Sequence, residues 1–247
     1  MNFYIVTGTT RGLGRALADA ITDAGDYLLS LSSAPERFRH RFHNVKCDLR
    51  RLESIPASLE RLLNPIGLEN GAGIILINNA GVLEPVGPVD TIGPSHILDH
   101  LLVNQAAPAL LMSAFIRLTE GIKAQRRIIN ISSGAGRHPY AGWSMYCASK
   151  AALNMMTQCI AAEQQLRSDA VVVSAVSPGK METDMQAQVR AADASLFPAR
   201  EDFIRAKEQG DLMDPRRAAE IILSLDKQGY STPSKPLLFF KNRDNML

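Results

Sequence analysis

Three cysteines occur in 247 residues, Cys47, Cys147 and Cys159, an odd number with no Cys-x-x-Cys pair. A disulfide framework is therefore excluded, and the thiols read as the reduced cysteines of a cytoplasmic chain. Charge of one sign is lacking as well: 27 Lys and Arg stand against 25 Asp and Glu, a formal net charge of +2. Without a net basic field there is no electrostatic case for nucleic acid or a membrane surface as partner. No uninterrupted apolar run reaches the ~18 residues of a membrane span, so no transmembrane helix is expected. The chain enters Phe3-Tyr4-Ile5-Val6-Thr7-Gly8 directly, which reads as a strand and not a signal peptide. Repeats, low-complexity tracts and linker-like stretches are also missing. One domain over residues 1–247 is expected, with 46% hydrophobic residues to fill its core.

What the sequence does have is a rhythm. Apolar runs at 3–7, 27–31, 74–77, 127–131, 171–176 and 237–240, with a weaker one at 44–46, read as buried parallel strands. Longer amphipathic stretches lie between them, near 12–24, 51–63, 95–119, 144–166 and 215–226. Strand and helix alternating in this way predict an α/β fold: a doubly wound, Rossmann-like, mostly parallel sheet of about seven strands. Residues 180–213 break the rhythm with a connection of more than thirty residues, long enough to predict a substrate lid. A tail at 229–247 carries Pro233 and Pro236 ahead of the last apolar run.

The first strand opens into Gly8-Thr9-Thr10-Arg11-Gly12-Leu13-Gly14. Glycines there let the backbone turn tightly and approach a pyrophosphate, which then sits on the helix N-terminus. The spacing is GxxxGxG and not the generic GxGxxG, so a plain glycine-rich turn is the alternative. The second strand ends Ser30-Leu31-Ser32-Ser33-Ala34 without the carboxylate that would hold an unphosphorylated adenosine ribose. A 2′-phosphate is then not repelled, and Arg11 and Ser33 are placed to receive it, so NADP is favoured over NAD.

Tyr146 and Lys150 are four apart in a helical stretch and so share a face. A nearby ammonium is expected to lower the phenol from its usual ~10, fitting the tyrosine to protonate a carbonyl oxygen. Upstream, the strand Ile128-Ile129-Asn130-Ile131 ends in Ser132-Ser133 at the sheet edge where ligands bind, placing Ser133 to polarise that carbonyl. Pro108 removes the amide that would bond the Asn104 carbonyl, leaving a free carbonyl inside a helix to anchor a water.

Taken in order, Thr7-Gly8-x-x-x-Gly12-x-Gly14, Asp48-Leu49, Asn78-Asn79-Ala80-Gly81, Asn104, Ser133, Tyr146-x-x-x-Lys150 and Ser177-Pro178-Gly179 resemble the short-chain dehydrogenase/reductase family over about residues 3–185. The stretch from Ser132 to Cys159, with Met185-Gln186-Ala187-Gln188, further resembles the bacterial sepiapterin reductase/benzil reductase subgroup. The resemblance implies an NADPH-dependent carbonyl reductase. Ser133 would position the carbonyl, Tyr146 donate the proton, Lys150 hold the nicotinamide ribose and tune Tyr146, and Asn104 maintain a proton relay. Gly8, Arg11, Gly12, Leu13 and Gly14 would surround the phosphates, with Asp48 and Leu49 at the adenine. Asn79, Ala80 and Gly81 would lie beside the adenosine ribose, and Pro178, Gly179 and Thr183 would border the nicotinamide. The implied substrates are vicinal dicarbonyls or pterin side-chain ketones. The alternatives are a 3-oxoacyl or hydroxysteroid-type substrate, or an idle NADP-binding sensor or scaffold.

Helical stretches 101–119 and 144–166 are apolar around most of their circumference, which predicts a homodimer. A glycine-rich turn common in the family is missing before the final strand, which argues against a tetramer. His96 and His100, four apart, lack a third zinc ligand nearby and read as a solvated helix face. The basic run from Arg37 to His43 reads as solvated surface too.

Overall fold

The computed structural model describes residues 1–34, 38, 41–67, 72–228, 236–242 and 245–246. Arg37, Arg39 and His40 of the basic run and Pro233 of the tail lie outside the described residues.

The strands are β1 (Asn2–Thr7), β2 (Tyr27–Ser32), β3 (Phe42–Lys46), β4 (Gly73–Asn78), β5 (Gln125–Ile131), β6 (Val172–Ser177), β7 (Leu237–Asn242) and a two-residue β8 (Asn245–Met246). They form one sheet in the order β3-β2-β1-β4-β5-β6-β7-β8, parallel except for the final β7–β8 pair. The expected doubly wound sheet is therefore present, and the weak run at 44–46 is a true edge strand. Ile5 lies in register with Leu29 on one side and Leu76 on the other, so residues of one face line up across the sheet. That face packs on α2 (Ile55–Leu63), α4 (Ala107–Leu118) and the far end of α5 (Ser144–Gln165). The alternate residues Tyr4, Val6, Leu28, Ile75 and Ile77 pack on α1 (Gly12–Asp23) and α8 (Pro215–Gln228). Both faces are dry, which is why the strands show no polar alternation.

A third apolar cluster sits beyond the carboxyl ends of the strands. Leu83, Ala135, Trp143 and Tyr146 there meet Val189 of α6 (Asp184–Ala191) and Phe203 of α7 (Arg200–Glu208), with Phe197 between those helices. The long connection at 180–213 thus holds two helices of its own. Trp143 and Phe197 stack with ring centres 4.4 Å apart.

Helix α3 (Pro94–Leu101) runs into α4 through a π-helical turn, Leu102–Ala106. The wide turn sits one residue ahead of α4, where Pro108 supplies no amide to the Asn104 carbonyl, the disturbance its position predicts. By length and composition alone, the combined 25-residue run Pro94–Leu118 could span a bilayer. It carries His100 and Asn104 buried and hydrogen-bonded to other parts of the chain, so it packs as a core element.

Candidate active site

Between β1 and β4 the strand order reverses, and there a cavity of about 1030 Å³ opens across the strand ends. Every site residue expected from the sequence lines this cavity except Asn104.

The glycine turn forms one wall. Thr7 Oγ1 accepts the amides of Asn79 (3.0 Å) and Ala80 (2.9 Å), and Asn79 Nδ2 donates back to the Thr7 carbonyl at 2.9 Å. The turns after β1 and β4 are thereby locked together. Gly8 adopts a φ of +70°, and a Cβ on Gly14 would stand 2.0 Å from the Gly8 carbonyl oxygen. Only glycine lets α1 start this close to the strand. The first turn of α1 has neither a side-chain cap nor an acidic residue, leaving its amides free for an anion.

At the adenine end, Ser33 follows β2 and is exposed. Asp48 pairs with Arg50 at 2.9 Å, and that hydrogen-bonded guanidinium holds its carboxyl below the usual carboxylate range. Arg11, the N-cap of α1, has its guanidinium 4.0 Å from the Asp184 carboxylate at the start of α6, both side chains exposed. Thr183 caps α6 by accepting the Gln186 amide at 3.3 Å.

At the other end Ser133 follows β5, Tyr146 lies in the first turn of α5, and Lys150 stands one turn later. The Ser133 hydroxyl, beside the buried Tyr146 phenol, favours its ionised form. Lys150 Nζ donates to the Ile131 carbonyl at 2.9 Å and lies 5.7 Å from the centre of the Tyr146 ring. Burial lowers Lys150 to about 8. The expectation for Tyr146 needs correction: burial pushes its phenol up, with only the Ser133 hydroxyl opposing, and Lys150 does not bring it down. Desolvation of the neutral-preferring phenol outweighs an ammonium that is itself turned to a backbone carbonyl.

Asn104 stands behind the wall. Its Oδ1 accepts the Val82 amide at 2.9 Å and its Nδ2 donates to the Val82 carbonyl at 2.8 Å. A Cβ on Gly81 would lie 3.3 Å from Asn104 Oδ1 and 3.8 Å from Lys150 Nζ, so only that glycine separates the two. His100 is also corrected: His96 is exposed, but His100 is fully buried and bonds the Glu84 carbonyl, Asn104 and Ser149. The i, i+4 spacing hid this because only the His100 end of α3 meets Glu84 and Ser149, while His96 stays exposed. Trp143 and Gln186 line the cavity as well; the sequence marked both only through the stretches that carry the subgroup resemblance.

Residues 2–194 match the family model described as short chain dehydrogenase. Benzil reductase ((S)-benzoin forming) from Bacillus cereus is 34% identical, over 91% of this chain and 94% of the relative. Sepiapterin reductase from Bos taurus is 31% identical, over 90% and 88%. A short chain dehydrogenase/reductase from Saccharomyces cerevisiae shares the fold with a TM-score of 0.80 at 23% identity, covering 99% of this chain and 97% of that one. With the sheet, the cavity and the matched residues in agreement, the chain belongs to the short-chain dehydrogenase family of oxidoreductases, which bind a nicotinamide cofactor.

Proposed function

We propose that the protein is an NADPH-dependent carbonyl reductase with Tyr146 as its proton donor. The observation that carries this reading is the convergence of Ser133, Tyr146 and Lys150 on the cavity that the glycine turn also lines. The uncapped amides of α1 suit a pyrophosphate, and Gly8, Gly12 and Gly14 line the cavity at that helix end. Arg11 and Ser33, with no acid ending β2, support NADPH over NADH.

When bound, the dinucleotide supplies the hydride. Ser133 orients the carbonyl oxygen toward Tyr146, and the buried phenol stays protonated at neutral pH and so remains an acid. As negative charge grows on that oxygen, the Tyr146 proton passes to it, and the Lys150 ammonium offsets the phenolate left behind. Asn104, through its two bonds to Val82, fixes the 81–84 segment that lines the cavity with Lys150. Helices α6 and α7 form the lid, with Met185, Val189 and Phe203 facing the cavity opposite Tyr140 and Trp143. Their aromatic and thioether surface suits aromatic vicinal dicarbonyls or pterin ketones, the substrate types named in the two relatives.

The test is turnover of aromatic diketones, sepiapterin, acyl thioesters and steroids with NADPH, by the parent and by Tyr146→Phe. The parent should reduce a diketone or the pterin, and Tyr146→Phe should lose about two orders of magnitude or more in kcat while still binding NADPH. An equally active Tyr146→Phe refutes the proton donor. NADPH binding without turnover of any carbonyl supports a sensor instead.

A further inference from the structure

We propose that His100 is a positioning residue for this chemistry: its Nε2 lone pair fixes the Asn104 amide, whose Nδ2 also stands 3.5 Å from Ser149 Oγ on the turn of α5 that bears Tyr146 and Lys150. The inference rests on the carbonyl-reductase reading of the site.

His100 is fully buried, and its two ring nitrogens have different company. Nδ1 lies 2.6 Å from the Glu84 carbonyl oxygen. A carbonyl only accepts, so Nδ1 carries the proton. In the neutral ring Nε2 is then an acceptor and takes the Asn104 Nδ2 hydrogen at 3.0 Å, while the Ser149 hydroxyl, 3.1 Å away, gives its single hydrogen to the Tyr146 carbonyl. The amide of Asn104 has two hydrogens: one reaches the Val82 carbonyl, the other His100 Nε2. If Nε2 bore a proton, it would face that amide donor to donor. Asn104 would have to turn over, and both of its bonds to Val82 would be lost. The imidazole lone pair therefore dictates which way Asn104 points.

Three segments meet at this one ring. Residues 81–84 leave β4 and line the cavity; the π turn carries Asn104; and Ser149 sits beside Lys150 and donates to the Tyr146 carbonyl at 2.8 Å. The His100 ring also stands edge-on to Tyr146, centres 6.4 Å apart. A bulky apolar side chain would fill the same space but satisfy neither Glu84 nor Asn104. Misplacing Asn104 releases both bonds to Val82, whose neighbour Gly81 lines the cavity with Lys150, and so shifts the reacting geometry and not the dinucleotide's glycine turn.

The test compares the parent with His100→Phe, His100→Gln, Asn104→Ala and the Phe/Ala double variant, measuring kcat and KM for a reduced carbonyl, NADPH affinity by fluorescence titration, and Tm. Glutamine can accept from Asn104 and donate to Glu84, so His100→Gln should keep kcat within about threefold. His100→Phe should lose kcat about ten- to a hundredfold with KM and NADPH affinity within about twofold. The double variant should be no slower than Asn104→Ala, because both act through one amide. Full activity of His100→Phe, additive losses, or equal losses in the Gln and Phe variants would overturn the proposal. If His100→Phe does not fold, His100→Met asks the same question with a more adaptable side chain. A parent that reduces no carbonyl defeats the functional reading and this inference with it. A fully active parent with an equally active Phe variant defeats this inference alone.

Discussion

Burial lowers the Lys150 ammonium to about 8 and pushes the Tyr146 phenol, one helical turn earlier, in the opposite direction. Carbonyl reduction needs both groups protonated, so its rate should fall as pH rises through about 8, where Lys150 loses its charge. The stability consequence has the reverse sense. Between about 8 and the ordinary 10.5 the unfolded chain holds a proton that the folded one does not, so Lys150's contribution to stability improves as pH rises across that window. Below about 8 the full cost of burying the charge is present, on the order of 3 kcal/mol. Lys150→Met should therefore raise the unliganded protein's stability at pH 7 by roughly 1 kcal/mol, after about 2 kcal/mol lost with the hydrogen bond from the charged ammonium to the Ile131 carbonyl. It should abolish turnover, and its stability advantage should shrink toward pH 10; thermal melts across that range check both. Arg11 carries the second residue-scale prediction: NADPH should raise Tm more than NADH at equal concentration, and Arg11→Ala should narrow the difference. Equal shifts in the parent would remove Arg11 from cofactor choice. Ser133, Tyr146 and Lys150 were legible in the sequence because helical and strand periodicity fixes where they fall. His100 was not, since its environment comes from Glu84 and Ser149, which are distant in sequence, and the direction of the Tyr146 shift depends on burial that spacing does not reveal.

The strands and the helices packed directly on the sheet were legible to within a few residues, because each buries an apolar run or stripe. Helices α6 and α7 were not. In α7 only Phe203 and Ala206 are buried among Arg200, Glu201, Asp202, Arg205, Lys207 and Glu208, too few to give a helical stripe. These helices are held by what they rest on, and one glycine decides how closely they rest. Gly142 has a φ of +83°, and a Cβ there would stand 2.2 Å from the Leu196 carbonyl oxygen. Gly142→Ala should push the 193–197 segment outward and part Phe197 from Trp143, costing about 1–3 kcal/mol. KM for a bulky diketone should rise several-fold, with little change for a small carbonyl that does not reach the lid. Matching KM changes for both substrates would show that the lid does not grip the larger one.

Across the whole molecule, Leu118 and Met155 remain exposed on the stretches 101–119 and 144–166, the helices expected to meet a second copy, and Leu98 is exposed just ahead of the first. We propose a homodimer through these faces; sedimentation at micromolar concentration should give about twice the chain mass, and Met155→Arg should shift it toward monomer. A monomeric parent would refute this. The sheet order carries a different consequence, for biosynthesis. The earliest strand made, β1, is a central one, with β2 on one side and β4 on the other. Once β2 has emerged, the other edge of β1 still awaits a strand that begins at Gly73. At synthesis rates of about 5–20 residues per second the interval lasts on the order of several seconds, and throughout it an apolar strand edge is open to other chains. Removing β1 would accordingly not fray the sheet's margin but divide it into a β2–β3 pair and a β4–β8 remnant, each with a new edge exposed.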